Sequence, residues 1–382
     1  MAIWFALSIP FVTCLILYFL FHHKTAWWEL LIPFAVSFIL IISMKFAVET
    51  SQTRDVEYWT GWVTEAQYHE KWTEEWDTYH PPTYDSDGNM TSAGYWEHHV
   101  QHHPPYWKMI ENNGMGFRIN EKYYKHLVSQ FQNEREVNLS HMNQTSIGDG
   151  DMYVTKWNNK RDTMVVCTST HSYENRIQVS DSIFNFPDVE DTTGLFNYPE
   201  ISDRTQVPSI LGDGGPTLKS ANRNLCISNA ELGRKKQVRM WVLVFKNAPL
   251  QMAMDQECYW EGGNKNEMVL CVGVDDAYKV EWAYVFSWSE SEKVKIDIRQ
   301  FAQSQDTLDL NAIADNMADR VSEGFVRKPF AEFSYLTVVP PMWAVITVYV
   351  VTILLNAGIA VFATLNRFDS DNPTGEYRYK WR

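Results

Sequence analysis

The sequence predicts a membrane-anchored domain of the α+β or α/β class, held by three transmembrane helices, two near the N-terminus and one near the C-terminus. Three observations support this prediction. Apolar runs of membrane-spanning length lie near the two ends of the 382-residue chain. The stretch between them, residues 50–335, is polar and contains 42 of the 47 acidic residues. Within that stretch, short apolar runs typical of buried strands alternate with helical patterns.

Each of the three apolar runs is long enough to cross a bilayer. Residues 2–21 contain no charged side chain and match the ~20 residues that a helix needs to cross about 30 Å of hydrocarbon. A signal peptide would begin with positive charge and end in small residues, so a retained helix is favoured. Residues 27–48 form the second predicted span, residues 342–365 the third, and residues 366–382 a basic tail.

The basic residues next to the predicted spans suggest an orientation. Five lie on the side of the short loop and the tail, and four lie on the side of the large domain. The five are Lys24, Arg367, Arg378, Lys380 and Arg382, and the four are Lys45, Arg54, Arg327 and Lys328. Because positive residues favour the cytoplasmic side, we expect a cytoplasmic tail and an extracytoplasmic domain.

The net charge limits the partners of the central domain. Residues 50–335 contain 27 Lys and Arg against 42 Asp and Glu, which gives a charge of −15. Binding to a phosphate backbone relies on Lys and Arg that displace counterions. The composition therefore argues against nucleic acid. The predicted spans make the lipid bilayer, a membrane-protein partner or self-association the expected alternatives.

Aromatic and histidine residues mark the first part of this domain. Aromatic side chains recur at helical spacing between residues 55 and 79, which predicts an amphipathic helix. Asn120 precedes a second predicted helix, residues 121–136. Residues 50–140 are therefore predicted to be a helical, aromatic- and His-rich region next to the membrane.

Residues 141–335 are predicted to form an α/β domain with its clearest pattern near the C-terminal end. The predicted strands are residues 238–245, 267–274, 280–288 and 293–298. The predicted helices are residues 249–260 and 308–325.

Histidines give the strongest indication of a metal site. Four of them lie in the segment EHHVQHHP, residues 97–104. On a helix, His98/His102 and His99/His103 would each place two imidazoles on one face at metal-ligand spacing. His80, Glu97 or His69 would supply a third ligand for Zn or another divalent metal. The alternative is a polar, exposed segment with no metal.

A second group of polar residues flanks the predicted strand 267–274. Asp275 and Asp276 follow it and would either bind a divalent cation or form a solvated turn. Gly262 precedes it, with Asn264 and Asn266, and is predicted either to cap a helix or to help form a site at the mouth of the strand.

The cysteines leave two alternatives open. Cys167, Cys226, Cys258 and Cys271 lie in the central domain, and Cys14 lies in the first apolar run. Outside the cell the four would allow two disulfides, and in the cytoplasm they would be core thiols. The chain contains no Cys-x-x-Cys motif.

Parts of the sequence resemble two known protein families. The runs at residues 57–76, 173–187 and 259–274 resemble an uncharacterised family of membrane proteins from tailed phages and prophages. The pattern over residues 238–325 is similar to the TPM domain of membrane-anchored proteins. That second resemblance implies either phosphatase activity or a role in assembly or quality control.

Together these observations predict a membrane-anchored binding or assembly module of phage or prophage origin, and an enzyme is not favoured. The alternative is a metal-dependent phosphoesterase-like hydrolase built on the TPM-like unit. It would use Asp275 and Asp276 with Asn264 and Asn266 around a divalent ion.

Overall fold

The computed structural model of the protein describes residues 2–21, 31–131, 135–138, 146–147, 151–157, 160–180, 182–201 and 206–366. The chain divides into two units. The anchor unit comprises Met1–Asp55, Ser172–Asn185 and Phe330–Arg382, and the main unit comprises Val56–His171 and Phe186–Pro329. Residues 27–30 of the second predicted span and residues 367–382 of the predicted tail lie outside the described residues.

The described part of the chain contains helices of α and 3₁₀ type. The α-helices are α1 Ser8–Phe21, α2 Leu31–Thr53, α3 Glu121–Gln130, α4 Leu218–Lys236, α5 Gln251–Tyr259, α6 Glu292–Gln303, α7 Leu310–Gly324 and α8 Met342–Asn366. The 3₁₀ segments are Ala2–Leu7, Arg161–Thr163, Ile177–Val179, Gly215–Thr217 and Phe330–Phe333.

The strands occupy the main unit and its borders. They are β1 Arg54–His69, β2 Trp72–His80, β3 Thr83–Tyr84, β4 Met90–Ser92, β5 Tyr95–His103, β6 Tyr106–Glu111, β7 Gly116–Ile119, β8 Arg135–Asn138, β9 Ser146–Ile147, β10 Met152–Lys156, β11 Val166–Glu174, β12 Ile210–Gly212, β13 Arg239–Lys246, β14 Glu267–Val274 and β15 Val280–Phe286.

Within the described residues, two helices of the anchor unit are long and apolar enough to cross a membrane. They are Leu31–Thr53 and Met342–Phe362. The prediction of three spans is wrong in number, because the N-terminal run begins as a 3₁₀ segment and α1 has only 14 residues. At 1.5 Å per residue such a helix covers about 21 Å, less than the hydrocarbon thickness of about 30 Å.

A polar contact joins α2 and α8 in the interior of the anchor unit. The Asn356 side-chain amide donates to Ser37 Oγ at 2.8 Å, and both side chains are buried. Ile3, Ala6, Ile41 and Val348 form the apolar cluster of the same unit. These contacts connect both long helices to the 3₁₀ segment that precedes α1.

An antiparallel sheet forms the first part of the main unit. Its strand order is β7-β6-β1-β10-β8, and β11 also pairs with β1. The prediction of a helical region over residues 50–140 is therefore wrong for most of its length. Buried residues recur at every third position of β1, including Glu57, Thr60 and Val63, and a register shift follows Val63. The helix prediction rested on aromatic side chains at helical spacing, and these lie in β1 and β2.

The predicted helix after Asn120 is confirmed at its start. The Asn120 side chain accepts a hydrogen bond from Tyr123 N at 2.8 Å and so caps α3. Leu127 and Phe131 are buried against Val63 and Met109, which holds α3 on the antiparallel sheet. The helix ends at Gln130, before the predicted end at residue 136.

A second sheet has the order β12-β13-β14-β15. β12, β13 and β14 are parallel, and β15 is antiparallel to β14. The predictions of β13, α5, β14, β15 and α7 are confirmed. The predicted strand at residues 293–298 is wrong, because it lies in α6. Val294, Ile298 and Ala302 are buried there at helical spacing.

The helices of this second layer cover both faces of the sheet. Met240, Val242 and Val244 face the cluster that contains residues of α4, α6 and α7. Trp241, Leu243 and Phe245 face the cluster that contains Ala253 of α5. After β12 the chain therefore continues to α4 on one face of the sheet, and after β13 it continues to α5 on the opposite face. In open α/β sheets this arrangement forms a crevice between adjacent strands.

Candidate functional site

The most exposed part of the main unit is a β-ribbon, residues 72–103, which we call the aromatic ribbon. β2 and β5 pair over nine positions, from Trp72 opposite His103 to His80 opposite Tyr95. β3 and β4 pair within the connection between them. Trp, Tyr, Thr and Val favour extended backbone, which explains why this polar segment forms strands.

One face of the aromatic ribbon consists of stacked rings. The ring of Trp72 stacks on His103 with centroids 4.0 Å apart, and Trp76 stacks on His99 at 5.2 Å. Farther along, His80 stacks on Tyr95 at 4.7 Å. Cross-strand ring pairs of this kind stabilise an antiparallel ribbon by roughly 0.2–1 kcal/mol each.

The opposite face is also aromatic and solvent-exposed. Tyr79 and Trp96 contact each other with ring centroids 5.0 Å apart. Trp96 is 69% exposed, and Tyr95 on the first face is 54% exposed. Such large apolar rings on both faces of one ribbon are a feature of interaction surfaces.

The histidines predicted to bind metal lie in β5 and contact neighbouring side chains of the ribbon. His98 Nδ1 lies 2.7 Å from Asp77 Oδ1, and His80 Nε2 lies 2.8 Å from Glu97 Oε2. His102 Nδ1 lies 3.1 Å from Thr73 Oγ1, and His103 Nε2 lies 3.3 Å from Glu74 Oε2. His99 stacks on Trp76 as described above.

The helix that the metal hypothesis required is therefore absent. In a strand, His98 and His102 are separated by about 13 Å, and His98 and His99 point to opposite faces. The described residues contain no group of three His, Cys, Asp or Glu side chains placed to hold a metal ion. The five histidines, His80 included, do not fit a Zn site in this arrangement.

The aromatic ribbon is rich in acidic side chains. Residues 72–103 contain six Asp and Glu, five His, and neither Lys nor Arg. The same residues contain six Trp and Tyr. Carboxylates and aromatic rings thus alternate along a surface that supplies no cation other than protonated imidazole.

A second polar group lies at the carboxyl ends of the parallel strands. Tyr278 donates its hydroxyl hydrogen to Asp213 Oδ1 at 2.9 Å. Lys246 Nζ lies 3.5 Å from Asp213 Oδ2 and 3.8 Å from Asp276 Oδ1. The hydrogen bond from Tyr278 lowers the pKa of Asp213 and raises that of Tyr278. The group therefore combines two carboxylates, Asp213 and Asp276, with one ammonium group, that of Lys246.

Sequence reasoning found only part of this group. Asp276 was predicted, whereas Asp213, Lys246 and Tyr278 were missed. The Gly-rich segment 212–216, between β12 and α4, is the sequence feature that could have indicated this polar group. The other predicted carboxylate, Asp275, accepts hydrogen bonds from Ala277 N and Lys279 N and so forms the solvated-turn alternative.

Asn264 and Asn266 lie at the other end of β14, among buried polar groups. Glu267 accepts hydrogen bonds from Tyr198, from the Trp241 indole and from Asn264 N, at 2.6, 2.8 and 2.9 Å. The eight residues of β14 separate these groups from Asp275 and Asp276 by about 26 Å. The four predicted hydrolase residues therefore do not form one site.

The alternatives for Gly262 and the cysteines are also settled by geometry. Gly262 N donates to Glu257 O at 2.8 Å with φ +78°, which is the predicted helix cap. All five cysteines are free thiols. Burial raises the pKa of Cys167 and of Cys271, so these two behave as core thiols.

Burial raises the pKa of Glu267 above its ordinary value, although its three donors oppose that shift. Its contribution to stability is therefore complete below the unfolded pKa of about 4.3 and is lost as pH rises through the folded pKa. We expect the difference in unfolding free energy between wild type and Glu267→Gln to fall as pH rises above about 4.3. Denaturant titrations of both proteins from pH 4 to 8 measure this difference, and a constant or rising difference would contradict the expectation.

Comparison with protein-family models, with curated proteins and with solved structures gives no match. The fold and the surfaces described above therefore define the class of this protein. Its described residues form a mixed α+β structure that includes two helices long and apolar enough to cross a membrane.

Proposed function

We propose that this protein is a membrane-anchored binding module whose partner contacts the aromatic ribbon. The observation that carries the proposal is the exposure of large rings on both faces of that ribbon, Trp96 and Tyr95 above all. Exposed aromatic residues that surround a rigid strand pair are the usual energetic centres of protein interfaces. The two long apolar helices would anchor the chain that carries this ribbon to a bilayer.

Topology and origin extend the proposal. We propose that α2 and α8 both cross the bilayer, with the chain between them outside the cytoplasm and the tail inside. The resemblance to phage and prophage membrane proteins suggests an assembly role with another membrane protein or with a second copy. This assembly role remains a prediction, and so does the function implied by the TPM-like pattern.

The hydrolase alternative has weaker support. Its favourable observation is the crevice between β12 and β13, beside which Asp276 accepts a hydrogen bond from Asn247 at 3.0 Å. Against it, Asp276 is also close to Lys246 and lies far from Asn264 and Asn266. Hydrolysis of a generic phosphoester with added divalent metal, lost in Asp276→Asn, would favour this alternative over the binding module.

Site-specific crosslinking tests the binding module. We expect benzoylphenylalanine in place of Trp96 to give one discrete protein adduct. The sample to be irradiated is the membrane fraction of cells that express the full-length protein. The adduct should be lost when Trp76→Thr and Tyr95→Thr are added, because these changes remove the rings and keep residues that favour strands. The protein level measured by immunoblot should not change.

The matched control uses Ile296, an exposed apolar residue of α6. Benzoylphenylalanine at that position should give no such adduct, and Ile296→Thr should leave the Trp96 adduct intact. An adduct that survives the double ribbon substitution, or equal adducts from positions 96 and 296, would refute the proposal.

A further inference from the structure

A free strand edge borders the aromatic ribbon. Among the described residues, β5 pairs only with β2, and it ends the sheet order β5-β2-β9. Alternate backbone N–H and C=O groups along its nine residues therefore point away from β2. An edge of this length is a template on which an extended segment of another protein can add as a strand.

The side chains beside that edge select for positive charge. A strand added next to β5 would project its side chains alternately onto the two faces of the ribbon. On one face they would meet Tyr95 and Glu97, and on the other Trp96 and His98, with Asp77 behind His98. Each face therefore carries an exposed aromatic ring of β5 and a carboxylate of the ribbon.

This combination fits Lys and Arg. A guanidinium or ammonium group over an exposed Trp or Tyr ring gains a cation–π interaction, and a nearby carboxylate adds Coulomb attraction. The same chain makes such contacts elsewhere, with Arg118 4.7 Å from the Tyr106 centroid and Lys246 4.8 Å from the Tyr278 centroid. The aromatic ribbon contributes rings and carboxylates but no Lys or Arg of its own.

We infer that the partner of the aromatic ribbon is a Lys- or Arg-bearing extended protein segment that adds along the edge of β5. This inference rests on the proposed binding function and names the chemistry of its partner. The six carboxylates of residues 72–103 would repel an anionic lipid surface or a nucleic acid. A neutral peptide would gain the backbone hydrogen bonds but not the cation–π and Coulomb contributions.

Synthetic peptides provide the test, with the full-length protein in detergent. The probes are dye-labelled octapeptides of alternating Arg and Thr, and of alternating Gln and Thr, measured by fluorescence anisotropy. We expect the Arg peptide to bind at least about tenfold more tightly than the Gln peptide. Its affinity should fall severalfold between 50 and 300 mM salt, because exposed charges are screened.

Variants locate the binding on the ribbon. The double variant Asp77→Asn with Glu97→Gln should lower the affinity for the Arg peptide about tenfold, and so should Trp96→Thr. The matched control, Asp319→Asn with Glu323→Gln, removes the same charge from α7 and should leave the affinity unchanged. Equal losses from both charge pairs would show an effect of net charge and would overturn the inference.

Other outcomes overturn the inference in distinguishable ways. Equal, ribbon-dependent binding of both peptides would mean a neutral partner. Binding to phosphatidylcholine vesicles but not to the Arg peptide would mean a lipid partner. Self-association that is lost in Trp96→Thr, without binding of the Arg peptide, would mean a second copy. With a neutral protein partner or a second copy, the protein adduct from position 96 would still form. A lipid partner would give no protein adduct there, and the absence of that adduct would refute the proposed function itself.

Discussion

Glu57→Gln is expected to lower the free energy of unfolding by about 3–5 kcal/mol. Glu57 is almost fully buried and accepts two hydrogen bonds from the Arg327 guanidinium, one of them from Nε at 2.8 Å. Lys265 Nζ, also buried, lies 3.9 Å from Glu57 Oε1. The substitution leaves two cations facing a neutral amide in a region of low dielectric constant. Denaturant unfolding of the full-length protein in detergent, followed by tryptophan fluorescence, measures the loss.

A surface ion pair of similar geometry serves as the control. Arg320 Nη1 lies 2.8 Å from Glu323 Oε2, and the two side chains are 38% and 68% exposed. Glu323→Gln should change the free energy of unfolding by no more than about 0.5 kcal/mol, because water already solvates both charges. Equal effects of Glu57→Gln and Glu323→Gln would mean that Glu57 is hydrated in solution and that its burial is not maintained.

The two central strands of the parallel sheet could be predicted because burial on both faces leaves a direct mark on composition. β13 and β14 are eight-residue strands, and nearly every side chain in them is buried. A continuous apolar run of that length between turn signals is typical of such a strand. The helices α5 and α7 followed from Pro249, from Gly262 and from apolar residues at helical spacing.

Prediction failed where the spacing of residue types along the sequence imitated a different element. In β1, buried residues occur at every third position, whereas an ordinary strand alternates. At residues 293–298, the alternation of Lys293, Lys295 and Asp297 with apolar residues imitated a strand, although α6 buries Val294 and Ile298 at i, i+4. Spacing along the sequence cannot show which neighbour covers a face, so these cases required the tertiary structure.

The histidines of the aromatic ribbon illustrate the same limit for a candidate site. Their i, i+4 spacing was correct for metal ligands only if the backbone was helical. The strand instead places Asp77, Glu97 and the rings of β2 opposite them. The residue types that favoured a metal site therefore became the cross-strand partners of an exposed ribbon. The side chains that contact the imidazoles of His80, His98, His102 and His103 lie more than 15 residues away in the sequence, which no local pattern could indicate.

Gly233→Ala is expected to destabilise the main unit by about 2–3 kcal/mol, although alanine favours a helix by about 1 kcal/mol over glycine. Gly233 lies inside α4, and a Cβ atom there would be 2.1 Å from the carbonyl oxygen of Thr60 in β1. Because that atom belongs to the backbone of a paired strand, no rotamer change can relieve the contact. The helix and the strand would have to separate, which would disturb the packing of Cys226, Ile227 and Ala230 in the same apolar cluster.

A glycine with open space around it separates sterics from helix propensity. Gly358 lies in α8, and among the described residues no neighbouring heavy atom lies within 4 Å of the position that its Cβ would take. Gly358→Ala should therefore leave the thermal midpoint of the full-length protein unchanged or slightly raised, whereas Gly233→Ala should lower it by several degrees. A stabilising Gly233→Ala would mean that α4 and β1 do not approach as closely as the structure has them. In that case helix propensity alone, and not the contact with Thr60, would govern this position.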